Sequence, residues 1–467
     1  MNRKLSIILL VAGMGLFSSC DNFLEVKPFS SVDDKVAITN TENATVALTG
    51  VYDGLQSASY LGRNFIVFGD ILTDNIFVKP VNSNRFIAEA SWQVLKANAD
   101  IADLWNQGYT VINRANNIVN ATIKVNDADV NQIKGEALTI RAMVHFDMVR
   151  LFAQAYGFTA DASHLGIPYV EKHDPNGLPA RNTVKDVYAK IVRDLTQASD
   201  LVSTKGRQAP YTLTKWAVES MLARVYLTMG DYSNAKTAAI DVIKNGGFSL
   251  ISNANYVSSW GASKTSESIF TLANSNVDYN GTNGLGYMFV EKGYGDMLAN
   301  TNLVSLYAAN DVRSTMFVKG VGAANKTYNF SLKYPGQGGV PGLDNVNLIR
   351  LSEIYLIAAE ASAKATPSDE ATAQDLLTKI RQRAIPTSPI VTATGDALIN
   401  EILLEKRKEL AFEGQYFFDL KRLKVSVTGA LINGTNVTVN YPDDKLAWPI
   451  PERETNVNPN MVQNPGY

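Results

Sequence analysis

The sequence predicts a mainly α protein, a scaffold of stacked helical hairpins interrupted by loop-rich excursions, and three observations carry that prediction. Apolar residues recur at helical spacing in several separate segments. One of these, residues 215–250, holds a helix–turn–helix repeat signature in register. Between the helical blocks the composition shifts to Asn, Gly, Ser and Tyr without a sustained period, most extensively over 251–345.

The N-terminus carries a basic patch, Met1 to Lys4, then the apolar run LSIILLVAGMGLF from Leu5 to Phe17. That layout predicts a secretory signal peptide over 1–19, since a membrane-spanning helix needs roughly 20 apolar residues. Cys20 is the single cysteine among 467 residues, so no internal disulfide is possible. Its thiolate suits transfer of a diacylglyceryl group, and cleavage before it frees an amine for a further acyl chain. Two or more chains anchor stably where one is marginal. Cys20 is therefore the expected lipidation site and 20–35 a lipidated tether; the alternative is an unmodified small residue closing a leader. Phe17 stands three before the cysteine, where the usual bacterial lipoprotein signal has Leu.

Residues 36–250 read as the first scaffold block, with an irregular stretch from Asn64 to Asn98. GEALTIRAMVHFDMVRLFAQAYG aligns Leu138, Ala142, His145, Val149 and Phe152 on one helical stripe, and Arg141 there reads as an ion-pair anchor. TVKDVYAKIVRDLTQASDLV predicts a helix with Thr183 as N-cap and Asp186 in its first turn. In KWAVESMLARVYLTMGDYSNAKTAAIDVIKNGGFSL, Leu222-Ala223, Tyr226, Gly230 and Ala235 fill the places of a tetratricopeptide repeat, which makes the scaffold TPR-like. Weaker copies around it fit an array whose hairpins bury each other's apolar faces.

After the 251–345 excursion, residues 346–425 return to helix. LSEIYLIAAEASAKA and ATAQDLLTKIRQRA form a pair with a turn around Pro367. EILLEKRKELAFEGQYFFDLKR, residues 401–422, reads as an amphipathic helix with a solvated charged face, Glu405 and Lys408 supporting each other. The 426–467 tail is loop-rich, with Pro442, Pro449, Pro451, Pro459 and Pro465.

A formal charge of −2 gives no pull toward nucleic acid. His145, His164 and His173 stand at no metal-ligand spacing, so neither metal nor cofactor is expected, and His145 reads as a satisfied core histidine. G-x-S-x-G, P-loop and dinucleotide motifs are missing from the sequence. The chain is expected to be non-catalytic; a carboxylate pair assembled by the fold, or a Glu within 401–422, keeps a glycoside hydrolase as the alternative.

The aromatic and amide content of the excursions supplies the candidate site. A sugar offers an apolar C–H face and a rim of hydroxyls, which flat aromatics and Asn, Asp or Arg match. GDILTDNIFVKPVNSNRF contributes Asn75, Phe77, Asn82 and Arg85; NSNVDYNGTNGLGYMFVEKGYG contributes Tyr279, Asn283, Tyr287 and Tyr294. The competing use of such aromatics is to pin long loops onto the scaffold.

Several motifs together resemble the SusD/RagB family of Bacteroidetes outer-membrane nutrient-binding lipoproteins. They are CDNFLEVKP at 20–28, GDILTDN at 69–75, WNQGYTVINRANNI at 105–118, GEALTIRAMVHFDMVRLFAQAYG at 135–157, LGIPYV at 165–170, the TPR-like block, LIRLSEIYLIAAEA at 348–361, EKRKELAFEGQYFFDLKR at 405–422 and the terminal QNPGY. The resemblance implies a cell-surface, lipid-anchored, non-catalytic protein that binds oligosaccharides or, in some branches, peptides. It implies a partner too, a TonB-dependent outer-membrane transporter of the SusC type, and it makes Asp21 and Glu25 the signal that sends the chain to the outer face. By position, the family's ligand loops correspond to 75–86 and 275–294. Starch-binding members carry tryptophans after the TDN motif, whereas this chain has Phe77 and no Trp before Trp92, which points to another glycan. Lys406 and Gln415 stand where members often show Arg, implying a differently wired ion-pair network.

Overall fold

Seven of the longer helices start the same way: Asn40, Asn98, Asp127, Thr183, Thr214, Asp231 and Asp369 each turn a side-chain oxygen onto the backbone N–H three residues on. Each satisfies a donor that the first turn leaves unpaired, for roughly 1 kcal/mol. The computed structural model describes residues 38–124, 127–321, 327–431 and 435–467; the leader, Cys20 and the tether to residue 35 lie outside the described residues.

The helices run as α1 (Thr41–Gln56), α2 (Asn64–Ile71), α3 (Ala99–Val119), α4 (Ala128–Phe152), α5 (Val184–Leu201), α6 (Lys215–Met229), α7 (Tyr232–Asn245), α8 (Leu351–Lys364), α9 (Glu370–Ala384), α10 (Gly395–Leu410) and α11 (Tyr416–Arg422). They pack in a series: α1 on α3, α3 on α4, α4 on α5, α5 on α6, α6 on α7, α7 on α8, and α8 on both α9 and α10. The repeat signature in 215–250 is the α6–α7 hairpin. Gly230 closes α6 in the left-handed region at φ 80°, a conformation with no Cβ penalty for glycine, and Ala223 and Ala235 are fully buried where the two helices meet. The pair around Pro367 is α8–α9, and Thr183 caps α5 by accepting from the Asp186 N–H at 3.1 Å.

The central α4 is buried around most of its circumference from Gly135 onward, and its polar side chains are paired accordingly. Glu136 accepts from the Tyr52 hydroxyl at 2.5 Å and from Arg207 at 2.8 Å. Arg141 donates to Asp194 at 2.6 Å, the ion-pair anchor expected of it. His145 accepts from the Val170 N–H on Nε2 at 3.0 Å, so its Nδ1 carries the proton given to the Arg141 carbonyl at 2.8 Å.

Short strands occupy the excursions: β1 (Ile76–Val78), β2 (Ser268–Leu272), β3 (Met297–Ala299), β4 (Phe317–Val321), β5 (Thr327–Ser331), β6 (Val346–Arg350), β7 (Val427–Ala430) and β8 (Asn436–Val439). β3, β1, β7 and β8 form a four-stranded sheet in which Phe77 pairs antiparallel with Leu298 and parallel with Ala430. Thus the first excursion, the second and the tail meet in one small sheet.

The charged segment 401–422 corrects the sequence expectation. It breaks at Phe412–Gly414 into α10 and α11, and its acidic face is buried rather than solvated. Glu409 meets Arg383 at 2.5 Å, Arg350 at 2.6 Å and Arg313 at 3.0 Å; Glu405 meets Arg313 at 2.5 Å; Glu413 meets Lys333 at 2.6 Å. The partners come from β6, from α9 and from the excursion, elements that a helical-spacing argument cannot see. Lys406 pairs with Asp419 at 2.8 Å, and Gln415 accepts from Arg150 at 3.2 Å.

Candidate functional site

The candidate surface is built where the segment between α1 and α2, the loop after β1 and the loop around Tyr287 converge on the N-terminal end of α3. Leu285 N–H donates to the Gly62 carbonyl at 3.1 Å, and Asn280 Nδ2 donates to the Gln56 carbonyl at 2.7 Å. A Cβ on Gly62 would lie 2.0 Å from the Gln56 oxygen and 2.6 Å from Asn280 Nδ2. Only glycine lets these two chain segments approach so closely.

On this base, Tyr287 and Tyr294 form an edge-to-face pair with centroids 5.0 Å apart. The Arg85 guanidinium lies 4.2 Å from the Tyr294 ring centre and 3.3 Å from its hydroxyl. Hydrogen bonds from Thr282 and then Arg85 pull the Tyr294 phenol below its ordinary pKa. Lys79 fixes the strand beneath by donating to the Tyr294 carbonyl at 2.5 Å and facing Asp296 at 3.5 Å. Asn283 is exposed and accepts from Arg63 at 3.4 Å. Burial pushes the Arg63 guanidinium down and the Asp100 carboxylate up, while their mutual attraction works against both shifts. Asp103, one turn further along α3, also acts on Arg63.

The eight residues singled out from the sequence separate into three groups. Arg85, Asn283, Tyr287 and Tyr294 come together as described. Phe77 is half-buried on β1, its ring 6.2 Å from Tyr328, and Tyr279 lines a shallow cleft of about 290 Å³ with Asp53, Gln107 and Arg114. Asn75 and Asn82 are corrections: both amides serve the fold. Asn75 is fully buried, donating to Asp70 at 3.0 Å and accepting from Arg407 at 2.9 Å. Asn82 closes a turn, donating to the Lys79 carbonyl at 2.8 Å and accepting from the Asn84 N–H at 2.6 Å. A short polar side chain near Pro80 favours the backbone bonds of Asn82, and Asn75 is taken up by a buried side-chain network, so amide content overcounts ligand contacts. Arg63, Thr282, Asp100 and Asp103 were missed. Thr282 lies inside the NSNVDYNGTNGLGYMFVEKGYG stretch; the only sequence trace of the other three is the Gly62-Arg63-Asn64 break between apolar runs and the polar first turns of the helix that begins at Ala99.

Comparison with known proteins places the scaffold. Residues 22–227 match a family model described as "Starch-binding associating with outer membrane", and residues 300–467 match the SusD family model. A SusD superfamily protein from Bacteroides thetaiotaomicron superposes with a TM-score of 0.83 at 31% identity, covering 91% of this chain and 100% of that one. The SusD-like protein P38 of Formosa agariphila is 24% identical, over 100% of this chain and 99% of its own. A solved laminarin-binding SusD-like protein superposes at TM-score 0.74 and 20% identity, over 92% of this chain and 100% of that one. The chain belongs to the SusD/RagB family. Among the described residues no helix is long and apolar enough to cross a membrane.

Proposed function

We propose that this protein is a non-catalytic, lipid-anchored receptor on the outer face of the outer membrane that captures oligosaccharide and delivers it to a SusC-type TonB-dependent transporter. The observation that carries this reading is the Tyr287–Tyr294 pair with Arg85 stacked beside it, on converging loops of a scaffold whose relatives include a laminarin-binding protein. Two half-buried rings at an angle offer a sugar one face for C–H stacking and one edge, while Arg85, Asn283 and Arg63 supply donors and acceptors for hydroxyls. Import draws its free energy from the transporter, so moderate affinity suffices here.

Titrating the purified protein with laminarin-, manno- and xylo-oligosaccharides tests this. Tyr287→Ala with Tyr294→Ala should abolish binding while the far-ultraviolet circular dichroism and the unfolding midpoint stay near the parent's; undiminished binding in the double variant sinks the site. Release of reducing ends from these glycans would favour the hydrolase alternative. Arg63 and Arg85 also suit a carboxylate, so a peptide digest belongs in the same panel, and tighter binding there would move the ligand class to peptides. Cys20→Ser should release the protein from the membrane fraction, and failure of a β-barrel transporter to co-purify with the native lipoprotein counts against the delivery role.

A further inference from the structure

A second cleft, of about 640 Å³, opens on the flank of α3 between the 168–179 segment and the Glu452–Val457 helix. Its aromatic lining is Trp105, Tyr109 and Tyr169, the first two with ring centroids 4.8 Å apart. Trp105 is buried, its indole donating to Glu454, whereas Tyr109 is half-buried with its hydroxyl donating to the Pro168 carbonyl at 2.9 Å, so it is the carbon surface of the Tyr109 ring that remains for a ligand. Beside them Asn106, Thr110 and Asn113 stand one helical turn apart along α3 and also line the cleft. Among the described residues these three side chains have no hydrogen-bond partner, in contrast to Asn75 and Asn82, and burial raises the Glu454 carboxylate above its usual range.

We infer that this cleft is a second saccharide-binding site, resting for its ligand class on the oligosaccharide reading above. Apolar ring surface next to unspent amide and hydroxyl groups is the complement of a pyranose. Lys172 and Asp174 bring opposite charges to the mouth. Asp100 and Asp103, which act on Arg63 at the loop site, continue the same face of α3 through Asn106 and Thr110 to Asn113. From Asp103 to Asn113 the helix rises about 15 Å, so one extended glycan can lie along α3 and reach both sites, gaining affinity through effective concentration.

The test uses laminaritriose, mannotriose and xylotriose, chosen as too short to occupy both sites, in calorimetric titrations of the full mature protein. Whichever trisaccharide binds should show a stoichiometry of two. Asn106→Ala with Asn113→Ala should weaken one of the two events about tenfold, through the loss of their hydrogen bonds to the sugar hydroxyls. Tyr287→Ala with Tyr294→Ala should remove the other and leave the cleft event intact. A stoichiometry of one that the tyrosine variant abolishes and the asparagine variant leaves alone overturns the cleft while the loop site stands. One event lost only in the asparagine variant overturns the loop site instead. Asn113→Trp, which fills the cleft from an accessible helix position, should suppress the cleft event even if the alanine variants retain it, and an unchanged titration there also overturns the inference.

Discussion

Arg407 reaches Asn75 across 332 residues, its Nε donating to Asn75 Oδ1 at 2.9 Å while Nη2 meets Asp74 at 2.8 Å. The same corner holds Asp70, which accepts from Asn75 Nδ2 at 3.0 Å and from the Gly414 N–H at 2.7 Å. The GDILTDN and EKRKELAFEGQYFFDLKR segments are thus two halves of one joint, and the loop that bears Arg85 leaves from it. Removing Arg407 strands a buried amide and a carboxylate. Arg407→Ala should lower stability by about 1–3 kcal/mol, read as an earlier urea midpoint. Asn75→Ala should do the same, with glycan affinity of the folded protein unchanged; a selective loss of affinity would restore Asn75 to the ligand site.

Glu409 tests the buried charge network. Burial alone would raise its pKa, yet Arg383, Arg350 and Arg313 hold the carboxyl well below its usual range. Breaking such a group by removing one member leaves uncompensated charge in the interior, typically 3–5 kcal/mol. Glu409→Gln, which keeps the shape and loses the charge, should therefore cost several kcal/mol in denaturant unfolding, far more than exposed Asp375→Asn in the surface pair with Lys379.

The scaffold was legible because helix–helix packing writes itself at local spacing: Leu222, Ala223, Tyr226, Gly230 and Ala235 announce a hairpin within one short window. The charged helix was misread for the converse reason. Glu405 and Glu409 look solvated beside their own neighbours, and only the return of Arg313, Arg350 and Arg383 from distant elements buries them. At the site, aromatic chemistry located Tyr287 and Tyr294, whereas amides divided between turn closure at Asn82 and surface exposure at Asn283, a difference that depends on backbone path. Arg63 carries no local sign beyond the Gly62-Arg63-Asn64 break; it enters the site because the 279–285 loop folds over Gly62.

His145 gives a pH test. Burial lowers its pKa to about 3, with the Arg141 carbonyl opposing, and the ring stacks on Tyr169 at 3.8 Å. An unfolded histidine titrates near 6.5. The folded value is depressed, so its contribution to stability is fully present above about pH 6.5 and is lost as pH falls toward 3. In nitrogen-edited spectra the His145 ring should hold one neutral tautomer, protonated on Nδ1, from pH 7 down to about pH 4. A titration near pH 6.5 in the folded protein would show that the ring is hydrated.

Asp344 gives a pH dependence of opposite sign, and at the ligand loops. Its Oδ1 accepts from the Gly336 N–H at 2.6 Å, while Oδ2 is buried without a partner beneath the Leu285–Phe289 turn that carries Tyr287. Burial pushes the carboxyl up to about 7, the Gly336 bond only partly opposing. Here the folded pKa lies above the unfolded one, so the native state holds a proton that the unfolded chain gives up. The contribution is complete below about pH 4 and disappears as pH rises through 7, with a slope of at most about 1.4 kcal/mol per pH unit. Asp344→Asn keeps the acceptor for Gly336 and cannot ionise. Relative to the parent it should gain stability steadily between pH 5 and 7 and then level off. Glycan binding through Tyr287 should weaken above pH 7 in the parent and not in the variant, because an ionised Oδ2 loosens the turn beneath that ring. Parallel pH–stability curves for the two proteins would show that Asp344 does not titrate in this range.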